Sequence, residues 1–269
     1  MYKKKNVLAV IPARSGSKGI KNKNIKILNG KPLIYYTIKY AKKCDFIDHI
    51  IVSTDSKKYA AISKKFGAEI PFIRKKKLAK DNVKDYPVMY DALKKSEEIY
   101  KKKFDLVILL RPTSPFRENN LIEKSLKLLT KNKLATSVRA VQVSSSHPYR
   151  HWMYEKNKKF ITGFVNKISE PYNITRQMLP RLFFQTGDIE LIKRSTLMKG
   201  SVSGNKILPI FMKKKTIDID TLEDFKKQKK IKKCLKKLFT AQLNFVNHST
   251  VMKVRIVMIL QGRGWKTLV

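Results

Sequence analysis

Apolar and polar positions along this chain follow two alternating periods, and their order predicts the fold. Asn6–Ile11 leads into an unbroken apolar run, as expected of a strand buried on both faces. After Pro32, residues Leu33, Tyr36, Thr37 and Tyr40 recur at helical spacing, which predicts a helix over Leu33–Lys43. His49–Ser53 reads as a second strand. Ser56–Phe66 reads as a helix through Tyr59, Ile62 and Phe66, stopped by Gly67. A short strand is expected over Glu69–Phe72 and a helix over Pro87–Lys101. Leu106–Leu110 is apolar throughout, the mark of a central parallel strand, and a helix over Asn119–Thr130 follows it. Further strands are expected over Ala135–Val143, Phe160–Phe164, Leu182–Ile192 and Ile207–Phe211. Thr216–Asp220 closes the pattern in extended backbone, and Thr221 is placed to cap a helix from Leu222. This alternation predicts an α/β protein, a three-layer sandwich around a mostly parallel sheet.

Two stretches break the pattern. His147–Tyr154 and Glu170–Pro180 are polar, aromatic and proline-containing, and read as loops or lids. Phe225–Leu238 is lysine-rich with amphipathic spacing, and from Phe239 the pattern fades. The organisation read from this is one domain over 1–238, with a lid or dimerisation insertion over 145–180, and an atypical tail over 239–269.

Charge changes the picture less than its size suggests. Lys and Arg number 60 against 20 Asp and Glu, giving a formal net charge of +40. Such a balance raises nucleic acid as a partner. Only eleven of the 60 are Arg, however, and the lysines spread over every predicted helix. That distribution describes a solvated surface that attracts small anions better than it describes a nucleic-acid platform. Cys44 and Cys234 lie far apart and form no metal-ligand spacing. With no cleavable apolar leader and nothing near the roughly 20 apolar residues of a membrane span, a cytoplasmic setting without membrane association is expected.

The candidate chemistry lies where strands end. The first strand runs into Ala13-Arg14-Ser15-Gly16-Ser17-Lys18-Gly19, with Lys23 and Asn24 beyond. Glycines let backbone N–H groups approach anionic oxygens, and the cations neutralise them. The loop is neither G-x-x-x-x-G-K-[ST] nor G-x-G-x-x-G, and an ordinary loop with surface lysines is the plainer alternative. A second loop, Leu109-Leu110-Arg111-Pro112-Thr113-Ser114-Pro115-Phe116-Arg117, ends the central strand and converges on the same sheet edge. In Ile217-Asp218-Ile219-Asp220, two carboxylates share one face of an extended chain. They suit a hard divalent ion such as Mg²⁺ that is also held by phosphates, although strand-end solubility or a helix cap explains them too. Gln185-Thr186-Gly187-Asp188-Ile189-Glu190 suits hydrogen bonding to a polyol, or a turn around Gly187. The histidines form no triad.

In this order these motifs resemble the acylneuraminate cytidylyltransferases, the CMP-sialic acid synthetases, over residues 6–230, with Val52-Ser53-Thr54-Asp55 adding to the match. The resemblance implies a Rossmann-like nucleotidyltransferase fold and a homodimer that exchanges a small β-rich element. It implies transfer of CMP from CTP to a 2-keto-3-deoxy sugar acid, with Mg²⁺. By the same resemblance Ala13, Arg14, Ser15, Gly16, Lys18, Lys23, Asn24 and Asp81 hold the nucleotide. Arg111, Ser114, Arg176, Gln177, Gln185, Thr186, Gly187 and Asp188 fall to the sugar side, and Asp218 and Asp220 to the metal. Arg14, Lys18 and Lys23, with the two aspartates, are then the catalytic set. The chain departs from the family where glutamine is usual (Arg111), where no acid is usual (Asp188), where tyrosine is frequent (Glu190), and over Asp81-Asn82-Val83-Lys84-Asp85, which lacks the usual small hydroxyl residues near the nucleotide. A ketodeoxyoctonate-type or other sugar nucleotidyltransferase, or a basic nucleic-acid-binding protein, are the alternatives. The last 35 or so residues have no counterpart in the resemblance.

Overall fold

The computed structural model describes residues 2–228 except 157 and 215. The tail expected over 239–269 and most of the helix expected over Phe225–Leu238 lie outside the described residues. β1 (Val7–Pro12) enters a short hairpin of β2 (Ile27–Leu28) and β3 (Lys31–Pro32), then α1 (Leu33–Ala41). β4 (His49–Ser53), α2 (Lys57–Lys65), α3 (Asp85–Tyr100), β5 (Leu106–Leu109), α4 (Leu121–Lys131) and β6 (Ser137–Val143) continue the alternation. Among its described residues, an excursion over 144–182 holds only three-residue helical turns and the two-residue strands β7 (Trp152–Met153) and β8 (Thr162–Gly163). β9 (Phe183–Lys193), α5 (Arg194–Met198) and β10 (Ile207–Phe211) complete the described elements.

Six strands form one sheet in the order β10-β6-β9-β5-β1-β4. All pairings are parallel except those of β9, which runs antiparallel to both β5 and β6. The apolar run of β1 is explained by its two neighbours and two covered faces. Val7, Ala9 and Ile11 pack with Ile34 and Ile38 of α1 and Leu126 of α4. Leu8 and Val10 pack on the other face with Met89 and Leu93 of α3 and Leu197 of α5. Side chains of a strand alternate between faces, so a strand covered on both must be apolar at every position.

Three expected strands come out differently. Of Glu69–Phe72 only Glu69 bridges, to Ile51, because Pro71 has no N–H to continue a ladder. Phe160–Phe164 shrinks to Thr162–Gly163, paired with Trp152–Met153 in its own two-stranded sheet away from the main one. Thr216–Asp220 joins no sheet; it crosses the strand ends, tied by Ile219 N–H to the Thr113 carbonyl at 2.8 Å. The cap expected at Thr221 is present. Its N–H and hydroxyl both reach Asp224 Oδ2, at 2.9 and 2.7 Å, while Asp224 N–H returns to Thr221 Oγ1 at 3.1 Å.

Candidate active site

A cleft of about 520 Å³ opens beyond the carboxyl ends of β1 and β5, the usual place for ligands in such a sheet. Its walls come from the first loop, the Arg111–Thr113 loop, the segment around Asp81 and Asp85, and Asp220.

The first loop is tied down from below. Ala13 N–H reaches the Ser53 carbonyl at 2.9 Å, and Asn24 Nδ2 donates to the Arg14 carbonyl at 3.0 Å. Asp55, at the end of β4, accepts from Ser15 N–H at 2.9 Å and from Ser15 Oγ at 2.7 Å. Burial pushes the Asp55 carboxyl up, but the Ser15 hydrogen bonds and its other favourable contacts outweigh that and hold it below its ordinary value. A Cβ on Gly16 would meet open space, and Ala13, Ser15 and Gly16 do not line the cleft, whereas Gly19 does and a Cβ on it would come within 3.0 Å of the Asp220 carbonyl. Gly19 is thus the point where the segment carrying Asp220 closes against the loop.

The expected cations are all at the cleft, and each is held by a carboxylate. Arg14 pairs with Asp81, Lys18 lies 3.0 Å from the same residue, and Lys23 lies 2.8 Å from Asp220. Hydrogen bonds from Lys18 and Arg14 keep the Asp81 carboxyl below its ordinary value. Arg74 adds a cation that the sequence pattern did not single out. It is buried, lines the cleft, and donates through Nη2 to the Ser53 carbonyl at 2.6 Å, while its Nε has no hydrogen-bond partner.

The second loop has its own anchor in its last residue, to which the sequence pattern assigned no role. Arg117 is buried and donates to the Asp188 carbonyl at 2.5 Å, Thr37 Oγ1 at 3.0 Å and the Arg111 carbonyl at 2.6 Å. Burial lowers it to about 10, which leaves it charged at neutral pH. Ser114 is buried and its Oγ donates to Asp218 Oδ1. A Cβ on Gly187 would sit 2.8 Å from that same oxygen, so the glycine makes room for the Ser114–Asp218 contact.

Several expected site residues lie elsewhere. Gln185 to Glu190 form part of continuous strand β9, as the strand expected over Leu182–Ile192 has it, and not a turn around Gly187; β6 shifts its register between Arg139 and Val141 opposite them. Asp188 is buried and accepts from Thr216 Oγ1 at 2.7 Å, and burial raises its carboxyl. Gln185 accepts from Arg139. Thr186 is buried with no hydrogen-bond partner for its hydroxyl. None of Gln185, Thr186, Gly187 or Asp188 lines the cleft. Asp220 lines it, whereas Asp218 faces Ser114. Arg176 and Gln177 sit exposed on the turn Arg176–Met178 of the excursion. The departures at Arg111 and Glu190 are one contact, since the two residues form an ion pair.

The Ser15–Asp55 clamp carries a prediction. On the expectation that this loop holds an anionic co-substrate, Asp55→Asn raises the KM for it by about 3- to 10-fold. Because the folded-state pKa of Asp55 is depressed, its contribution is complete above the unfolded value near pH 4 and is lost as pH falls through the folded one. The acid limb of an unfolding-against-pH curve is therefore shallower for Asp55→Asn. Superimposable acid limbs would remove this role.

The sequence profile of the family described as Cytidylyltransferase matches residues 8–249. The chain belongs to the cytidylyltransferase family. As a member it is a nucleotidyltransferase, and the resemblance read from its loops holds. It is 36% identical over 222 residues to the CMP-N,N'-diacetyllegionaminic acid synthase of Campylobacter jejuni, covering 82% of this chain and 92% of that one. It is 35% identical, over the same shares, to the Post-translational flagellin modification protein B of Campylobacter coli. Among solved structures, a CMP:2-keto-3-deoxy-manno-octonic acid synthetase complexed with CTP superimposes with a TM-score of 0.58 at 16% identity, covering 89% of this chain and 99% of that one. That likeness shows the fold. No described helix of this cytidylyltransferase is long and apolar enough to cross a membrane.

Proposed function

We propose that this cytidylyltransferase transfers CMP from CTP to the anomeric hydroxyl of a nonulosonic acid of the sialic or legionaminic type, for surface glycan synthesis in the cytoplasm. One observation carries the reading most directly. The cleft at the ends of β1 and β5 collects Arg14, Lys18 and Lys23, and each is engaged by a carboxylate that a triphosphate can replace. The names of the relatives support the acid as acceptor.

The reaction must bring two anions together, which the cleft's cations favour. The anomeric hydroxyl oxygen forms a bond to the α-phosphorus, the bond from that phosphorus to the bridging oxygen breaks, and pyrophosphate leaves with those electrons. The hydroxyl proton passes to solvent. Arg14, Lys18 and Lys23 neutralise the charge that gathers on the departing pyrophosphate. Asp218 and Asp220 are the residues that would hold a divalent cation: both offer hard carboxylate oxygens, Asp220 at the cleft and Asp218 beside Ser114, though no group of three or more His, Cys, Asp or Glu side chains suited to a metal exists among the described residues. Mg²⁺ accepts such a sparse protein set, taking phosphate oxygens and water for the rest. When bound it would neutralise phosphate charge beside those two aspartates.

The excursion over residues 144–182 exposes Trp152, Tyr154, Phe160, Phe164 and Met178. These apolar groups support a homodimer in which a second copy covers them.

A panel of sugar acids with CTP, other nucleoside triphosphates and Mg²⁺, read by pyrophosphate release, tests the proposal. Release is expected with CTP and an N-acylneuraminate, legionaminate or pseudaminate. Release only with ketodeoxyoctonate, or with none of these acids, would overturn it.

A further inference from the structure

Glu190 is 1% exposed, and both of its oxygens are ion-paired: Oε1 with Arg111 Nη1, Oε2 with Arg139 Nη2. The sheet puts it there, because Glu190 of β9 is in register with Leu109 of β5 on one side and Arg139 of β6 on the other. One carboxylate cannot neutralise two guanidiniums, so a positive charge is left over. Arg139 spends its remaining donors on neutral groups, Gln185 Oε1 and Ser203 Oγ. Arg111 carries the excess to the cleft wall, where its Nη2 lies 2.5 Å from Asp85 Oδ2.

The two acids that hold Arg111 differ in kind. Glu190 is sealed in the sheet and cannot leave without abandoning two partly buried cations, 23% and 18% exposed at their side chains. Asp85 is 47% exposed at its side chain and is the first residue of α3, a helix of 16 residues. Water and the positive end of that helix stabilise its carboxylate when it lets go. Arg111 is thus aimed into the cleft by a fixed acid and covered by an exchangeable one. Its loop is separate from the one that supplies Arg14, Lys18 and Lys23, whose partners are Asp81 and Asp220. A planar guanidinium with one edge pinned and the other offered matches a carboxylate, which it can grip with two parallel hydrogen bonds.

We infer that Arg111, fixed by Glu190 and Arg139, receives the carboxylate of the sugar-acid substrate, and that Asp85 holds its place until the acid binds. Glu190 is then a positioning residue for specificity, and the anomeric carbon next to that carboxylate is oriented by the grip. The inference rests on the function proposed above.

Steady-state kinetics of Arg111→Gln, Glu190→Gln and Asp85→Asn, with CTP and the acid varied in turn, provide the first test. KM for the acid rises roughly 10- to 100-fold in Arg111→Gln and about 5- to 10-fold in Glu190→Gln, while KM for CTP stays within about twofold. Asp85→Asn lowers KM for the acid by about two- to fivefold. The second test needs no turnover: saturation-transfer NMR compares binding of the acid with that of its methyl ester, which has the same shape without the charge. The acid is the one that turns over, or N-acetylneuraminic acid if none does, so failure of the enzymatic reading and failure of this site are distinguishable. The wild type prefers the acid to the ester, and Arg111→Gln loses the preference. Equal binding of acid and ester by the wild type overturns the inference. So does an equal rise of both KM values in Glu190→Gln, or a rise in acid KM in Asp85→Asn.

Discussion

Asp218→Ala and Asp220→Asn each lower the rate of CMP transfer by roughly a thousandfold, a loss on the scale of removing a group that stabilises transition-state charge, while CTP still binds. The two aspartates stand in different settings. Asp220 lines the cleft and contacts Lys23, and Asp218 accepts the Ser114 hydroxyl at the flank of Gly187. Neither is needed to hold the β- and γ-phosphates if Arg14, Lys18 and Lys23 do so, and binding and rate therefore separate. The rate is read as single-turnover pyrophosphate release and the binding as titration of CTP without divalent ion. Asp218→Ala also deprives Ser114 of an acceptor, so Asp220→Asn, which keeps its shape, is the cleaner variant. Unchanged rates in both, or loss of CTP binding equal to the loss of rate, would remove the carboxylates from the chemistry.

Arg117→Met is expected to be the most damaging single change to the fold around the cleft. The methionine fills the volume but leaves the Asp188 and Arg111 carbonyls and Thr37 Oγ1 without their donor. It also strips the buried Asp188 carboxyl, already raised by burial, of its nearby cation. Removing one member of such a buried set costs about 3–5 kcal/mol. At the scale of this domain, that is a fall of roughly 10 °C in melting temperature. Adding Asp188→Asn recovers part of the loss, since the stranded charge is gone. Calorimetry on the single and double variants checks both statements. A melting temperature within about 2 °C of wild type would show that the loop is held by other contacts.

What the sequence revealed and what it hid divide along a physical line. β1 and β5 were legible because burial on two faces forces every residue to be apolar, and the two loops were legible because they follow those strands directly. The first loop's cations stand where the motif placed them. Arg74 was opaque for the opposite reason, as were the roles of Asp55 and Arg117 within the motifs that contain them. Each acts on atoms distant in sequence or on backbone carbonyls, and no local spacing records that. Gln185 to Glu190 fell within an expected strand, and their polarity suggested hydrogen bonding to a polyol. Its cause is a set of protein partners, Arg139 on the neighbouring strand, Arg111 and Thr216 beyond the strand ends, together with a register shift that periodicity does not show. Asp218 and Asp220 were placed on one face by assuming regular extended backbone, and the segment instead crosses the strand ends outside any ladder.

The antiparallel course of β9 reaches beyond the site. β4, β1 and β5 come together from the first part of the chain, but the outer edge of β5 finds its partner only when Phe183–Lys193 returns from the excursion. During synthesis, that edge of apolar backbone therefore waits, unpaired, while α4, β6 and the whole excursion emerge. Strand β9 then joins β4, β1 and β5 to β6 in one step, before β10 has emerged, and it carries Glu190 with it. The cation wall of the cleft acquires its fixed charge at the moment the sheet closes, so a chain halted before that strand holds the first loop without a finished acceptor side.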